Sequence, residues 1–157
     1  MALDMQFSNG TPSTWNRSHW GGTTQLLTEW IVKTPVASMP KFGMAEYEID
    51  ESMKLIATGD SNIYCSWTNG QYWFGIQIIF PFQMFHMGYS PYYQVAGSVK
   101  TPTSLEAISW RDPTNDNPAF PYDFSAQKDK LPEGLSIHVS PTASGQALSL
   151  LVTISGK

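Results

Sequence analysis

Asn69-Gly70 divides two runs of alternating side chains, and this pattern restricts the fold more than any other feature of the chain. Both residues tolerate positive φ, so the pair is a strong hairpin signal. Before it, Ile63, Cys65 and Trp67 share one face of a strand over Ser61 to Thr68. After it, Tyr72, Phe74, Ile76, Ile78 and Phe80 point one way, and Trp73, Gly75, Gln77 and Ile79 the other. Pro81 removes a ladder donor and ends this second strand. The following loop, Pro81 to Tyr93, carries several aromatics and two methionines and has almost no charge, and function is expected there.

Period-two alternation recurs along the chain. Leu3, Met5 and Phe7 oppose Asp4, Gln6 and Ser8 in a first strand, and Asn9-Gly10-Thr11-Pro12 reads as a turn. Trp15 to Gly22 reads as a polar loop or short strand, and Gln25 to Lys33 as a strand with helix the alternative. Ala45, Tyr47 and Ile49 face inward, with Glu46, Glu48 and Asp50 outward. Further strands are expected at Met53 to Ala57, Tyr92 to Val99 and Ser104 to Trp110. Arg111 to Lys130 is a proline-rich excursion in which helix is nearly excluded. Leu135, Ile137 and Val139, then Leu148, Leu150, Val152 and Ile154, mark two closing strands around a Ser144-Gly145 turn. Short strands with frequent turn signals predict an all-β fold, a sandwich or a barrel, in one domain over residues 1–157.

Composition narrows the function. The net charge is −4, and the nine basic residues form no stripe, which argues against nucleic acid as a partner. Cys65 is the single cysteine, so no intrachain disulfide forms; it reads as a buried small hydrophobe. His19, His86 and His138 lie in separate segments with no metal-ligand spacing, and no cofactor motif is visible. Ser90 and Ser144 lie in no nucleophile elbow, so an enzyme is disfavoured. The opening residues have neither the basic nor the apolar region of a signal peptide. No apolar run approaches the roughly 20 residues of a membrane span. The expectation is a soluble chain, cytoplasmic or released without classical secretion, that acts at membrane surfaces.

Three collinear pieces carry a family resemblance. Phe80-Pro81-Phe82 followed by Tyr89-Ser90-Pro91-Tyr92-Tyr93-Gln94-Val95 resembles the actinoporin pattern, in which a Val-Pro-Tyr/Phe turn precedes Tyr-Ser-Asn-Trp-Trp-Asn-Val. Ser144-Gly145-Gln146-Ala147-Leu148 and the residues after it are similar to that family's closing strand. Asn9-Gly10 and Thr14-Trp15 resemble its opening. The resemblance implies an antiparallel β-sandwich of about ten strands that binds phosphocholine lipids as a cytolysin, or, as in the fungal fruit-body lectins of the same fold, sugars.

Carried over residue by residue, the resemblance puts Pro81 and Tyr89 in a headgroup pocket and Tyr92 and Tyr93 at membrane-facing aromatic positions. Trp73 and Ser90 join that pocket, and Phe82, Phe85 and Met87 form a membrane-facing loop. Tyr faces hold a quaternary ammonium by cation–π attraction, and Tyr and Trp rings favour the bilayer interface. The chain also departs from the family. It starts at the first strand, where members carry an amphipathic helix, so a lipid-binding toxin component is expected rather than a pore former. Ile79 replaces a polar headgroup contact, and the chain is acidic where the family is usually basic. Two other readings stand beside a membrane-lipid partner. One is a lectin that uses Ser90, Gln94 and His86 for hydrogen bonds. The other is an interaction module whose aromatics contact a second copy or a partner subunit.

Overall fold

Eleven strands are assigned among the described residues, and they form two sheets. The structure is a computed structural model that describes residues 2–23, 27, 30–50, 61–80, 91–113, 119–126, 131–144 and 147–156. The strands are β1 (Ala2–Gly10), β2 (Trp15–Gly22), β3 (Ile31–Lys33), β4 (Ser38–Met39), β5 (Met44–Asp50) and β6 (Ser61–Thr68). They continue with β7 (Trp73–Phe80), β8 (Tyr92–Ser98), β9 (Tyr122–Asp123), β10 (Leu135–Ser144) and β11 (Ala147–Gly156). One sheet runs β3-β5-β1-β11-β10-β9 and the other β4-β2-β6-β7-β8.

The all-β sandwich expected from the alternation is what forms. Leu3, Met5 and Phe7 of β1, Tyr47 and Ile49 of β5, and Leu148, Leu150, Val152 and Ile154 of β11 are buried against Ile63, Cys65, Trp67, Phe74, Ile76 and Ile78 of the facing sheet. Edge-to-face aromatic contacts fill the core: Phe7 of β1 lies 5.4 Å from Trp67 of the facing sheet, and Phe74 lies 5.5 Å from Trp15 within its own sheet and 5.6 Å from Phe124. Such pairs contribute roughly 0.5–1.5 kcal/mol each beyond their buried area. Cys65 is fully buried, and burial pushes its thiol pKa up.

Three local expectations change. The sheets are not purely antiparallel, because β1 and β11 pair in parallel from Leu3↔Leu148 to Gly10↔Ser155. A parallel pair needs a long connection, and nearly the whole chain lies between these two strands. Ser104 to Trp110 is not a strand: Leu105–Ala107 is a 3-10 turn, and Arg111 alone bridges to Val95 of β8. Ile108 and Trp110 instead pack on Trp73 and Ala96, over the outer face of the five-stranded sheet. Among the described residues of Gln25 to Lys33, Ile31–Lys33 is strand. The predicted Met53 to Ala57 strand lies outside the described residues.

Asn9, expected in a turn, is instead the penultimate residue of β1, paired with Ile154 of β11, and it is buried. Its Nδ2 donates to the carbonyls of Ser13 (2.8 Å), Met39 (3.0 Å) and Pro40 (3.0 Å), and its Oδ1 accepts from Thr11 N (3.0 Å) and Thr11 Oγ1 (2.7 Å). One side chain therefore ties the end of β1 to β4, the edge of the opposite sheet.

Candidate functional site at one end of the sandwich

Strand register brings several chain ends together. In the five-stranded sheet Gly22 pairs with Ile63, Ser61 with Phe80 and Ile79 with Tyr92. In the six-stranded sheet Ala2 pairs with Asp50, and Ser144 with Ala147. The two ends coincide, because Tyr47 Oη donates to the Gly21 carbonyl at 2.6 Å and Trp20 packs on Tyr47 at 5.7 Å. Phe80 and Pro91, which flank residues 81–90, therefore belong to this end. Pro81, Phe82, Phe85, Met87, Tyr89 and Ser90 lie outside the described residues, as does His86.

The remaining predicted site residues separate. Tyr92 stands on the outer face of β8, half-buried, at this end of the sandwich. Tyr93, its neighbour, points to the opposite face as strand geometry requires, and is fully buried. Its hydroxyl donates to the Phe120 carbonyl, and burial pushes its pKa up. The expectation of Tyr93 as a membrane-facing ring is thus corrected. Trp73 is corrected as well. It pairs with Ser98 at the far end of β7, six residues and roughly 20 Å along the strand from Ile79 and Tyr92. It is buried beneath Ile108 and Trp110. A Cβ at Gly75 would lie 3.1 Å from the Trp73 ring and 3.2 Å from that of Trp110, so any larger residue there would press on both rings.

Beside Tyr92, on the outer face of β6, β7 and β8, runs a row of amides. Thr23 Oγ1 donates to Asn62 Oδ1 at 3.2 Å, Asn62 Nδ2 to Gln77 Oε1 at 2.8 Å, and Gln77 Nε2 to Gln94 Oε1 at 2.8 Å. Tyr64 lies across Gly21 on the same face, where a Cβ would meet its hydroxyl at 2.8 Å. Burial, and then the nearby Glu106 carboxylate, raise the Tyr64 pKa. Sequence reasoning missed Asn62, Tyr64 and Gln77, because their adjacency depends on the register between three strands. Gln77 at an outward position of an otherwise apolar strand was the one local signal. The arrangement offers aromatic faces and amide donors and acceptors. Among the described residues no group of three His, Cys, Asp or Glu could hold a metal ion. No described helix is long and apolar enough to cross a membrane.

No protein-family model matches the chain, and no curated protein does. Among solved structures, the chain is similar to the lipid binding protein Nakanori, with a TM-score of 0.60 at 9% identity. The match covers 98% of this chain and 70% of that one. At this identity the likeness shows a shared fold and nothing finer.

Proposed function

We propose that this chain is a lipid-headgroup-binding module and not an enzyme, and that the Tyr92 end of the sandwich carries the site. The supporting observation is the likeness in fold to a lipid binding protein over 98% of the chain. The ligand class we assign is a phosphocholine headgroup, as in a membrane-directed toxin component. Its quaternary ammonium would lie on tyrosine faces, Tyr92 from β8 with Tyr89 and Pro81 from the connecting segment. Phe82, Phe85 and Met87 would enter the bilayer surface. Gln94 favours a second reading, a sugar ring bound against Tyr92 and the amide row, since it carries the row to the edge strand β8, two residues from Tyr92 on the same face.

Co-sedimentation with phosphatidylcholine and sphingomyelin vesicles tests the first reading. Tyr92→Ala and Tyr89→Ala should each reduce binding several-fold, while Tyr92→Phe, which keeps the ring face, should retain it. Binding unchanged in both alanine variants would remove the site from this end. Binding to a glycan array but not to vesicles, abolished by Gln94→Ala, would favour the second reading.

A further inference from the structure

Between β3 and β4 the chain crosses from one sheet to the other, and this crossing walls a groove of about 580 Å³. Val32, Lys33 and Val36 form the wall, and Gln6 of β1 with Met44 and Glu46 of β5 form the floor. The volume falls within the roughly 300–1,000 Å³ range of small-molecule sites. The apolar part is open to solvent: Val32 is 52% exposed, Val36 49% and Met44 63%. The wall is fixed from behind. Arg17 Nη1 donates to the Pro35 carbonyl at 2.6 Å, Arg17 N donates to the Ala37 carbonyl at 2.9 Å, Pro35 is buried, and β4 pairs with Trp15 and Asn16.

The groove lining carries one carboxylate, Glu46, and one ammonium, Lys33. Lys33 Nζ sits 2.9 Å from Glu46 Oε2, and Glu48 and Asp4 add to the negative field around it. Lys33 therefore marks a position that the protein makes favourable for a cation. The pair is exposed, 55% for Lys33 and 31% for Glu46, and an exposed ion pair contributes little to stability, so its ammonium is readily replaced.

We propose that this groove binds a small cationic amphiphile, its apolar body along Val32, Val36 and Met44 and its ammonium on Glu46 in place of Lys33 Nζ. The groove is distinct from the Tyr92 end. Its floor pairs Gln6 with Glu46 and Ser8 with Met44, whereas Ala2 and Asp50 mark the Tyr92 end. Either reading can fail without the other.

The test is an NMR titration of the full chain, methyl-labelled at methionine, with octyltrimethylammonium below its micelle concentration. Octyl sulfate and octyl glucoside serve as charge controls. The Met44 methyl and the amides of Gln6, Val32 and Val36 should shift saturably with the cation, and octyl sulfate should bind at least about tenfold more weakly. Glu46→Gln should weaken cation binding about fivefold, while Lys33→Ala, which frees the Glu46 carboxylate, should tighten it about threefold. Both substitutions are on the surface, and unchanged melting curves verify the fold. Equal affinity for the sulfate and the ammonium, weakening by Lys33→Ala, shifts confined to other residues, or a dimer in solution that covers Met44 and excludes the probe would each overturn the proposal.

Discussion

Cys65, Tyr47 and Tyr93 keep their protons for the same reason: each is buried in the core, and burial penalises the anion. In the unfolded chain these groups ionise near their ordinary values, about 8.5 for the thiol and about 10 for the phenols. The native state then binds more protons than the unfolded one at alkaline pH, so its stability falls as pH rises. The contribution is complete below the unfolded values and is lost as pH climbs toward the folded ones. Melting temperature should be nearly flat from about pH 6 to 8 and decline above about pH 8.5, with Cys65→Ala moving the onset toward about pH 10. A decline that begins near neutrality would point to a different group. Thiol labelling of Cys65 should proceed only at the rate of unfolding, because the thiolate that reacts is the form that burial suppresses.

Strands are tied together at positions that a linear reading does not rank. Asn9 reads as one more turn residue, yet its amide serves three carbonyls from two segments. Asn9→Ala should cost about 1–3 kcal/mol in urea unfolding, because those carbonyls lose a buried donor. Asn9→Asp should cost more, since a carboxylate would face the same oxygens. An effect under about 0.5 kcal/mol would show that water replaces the amide. The contrast explains what the sequence reveals. Alternation is local, so Ala45, Tyr47 and Ile49, or Leu148 to Ile154, announce their inward face directly. Register is not local: the parallel β1–β11 pair, the amide row through Asn62, Gln77 and Gln94, and the cover of Trp73 by Trp110 all depend on which strands become neighbours. The same distinction divides the site. Tyr92 is half-buried on the outer face, whereas Tyr93 follows strand alternation into the core, although it belongs to the same aromatic motif.

At the scale of the whole molecule, charge separates two ways of meeting a membrane. Thirteen acidic residues against nine basic ones leave a net charge of −4, and the outer face of the six-stranded sheet carries Asp4, Glu46, Glu48 and Asp50. A protein that reaches membranes by counter-charge needs the opposite balance, a basic surface toward anionic lipid, and that attraction fades beyond a Debye length of roughly 10 Å at 0.1 M salt. Recognition of a choline headgroup by ring faces is short-ranged and acts inside a desolvated contact, so added salt screens it little. The proposed site therefore predicts a pattern opposite to that of a basic membrane binder. Sedimentation with zwitterionic phosphatidylcholine or sphingomyelin vesicles should change less than about twofold between about 0.05 and 0.5 M salt. Replacing part of the zwitterionic lipid with phosphatidylserine should weaken binding at low salt, because the acidic surface is repelled, and the deficit should shrink as salt rises. Strong binding to phosphatidylserine vesicles that disappears with salt would mean that a local basic patch, rather than the aromatic end, makes the contact. The choline reading would then give way.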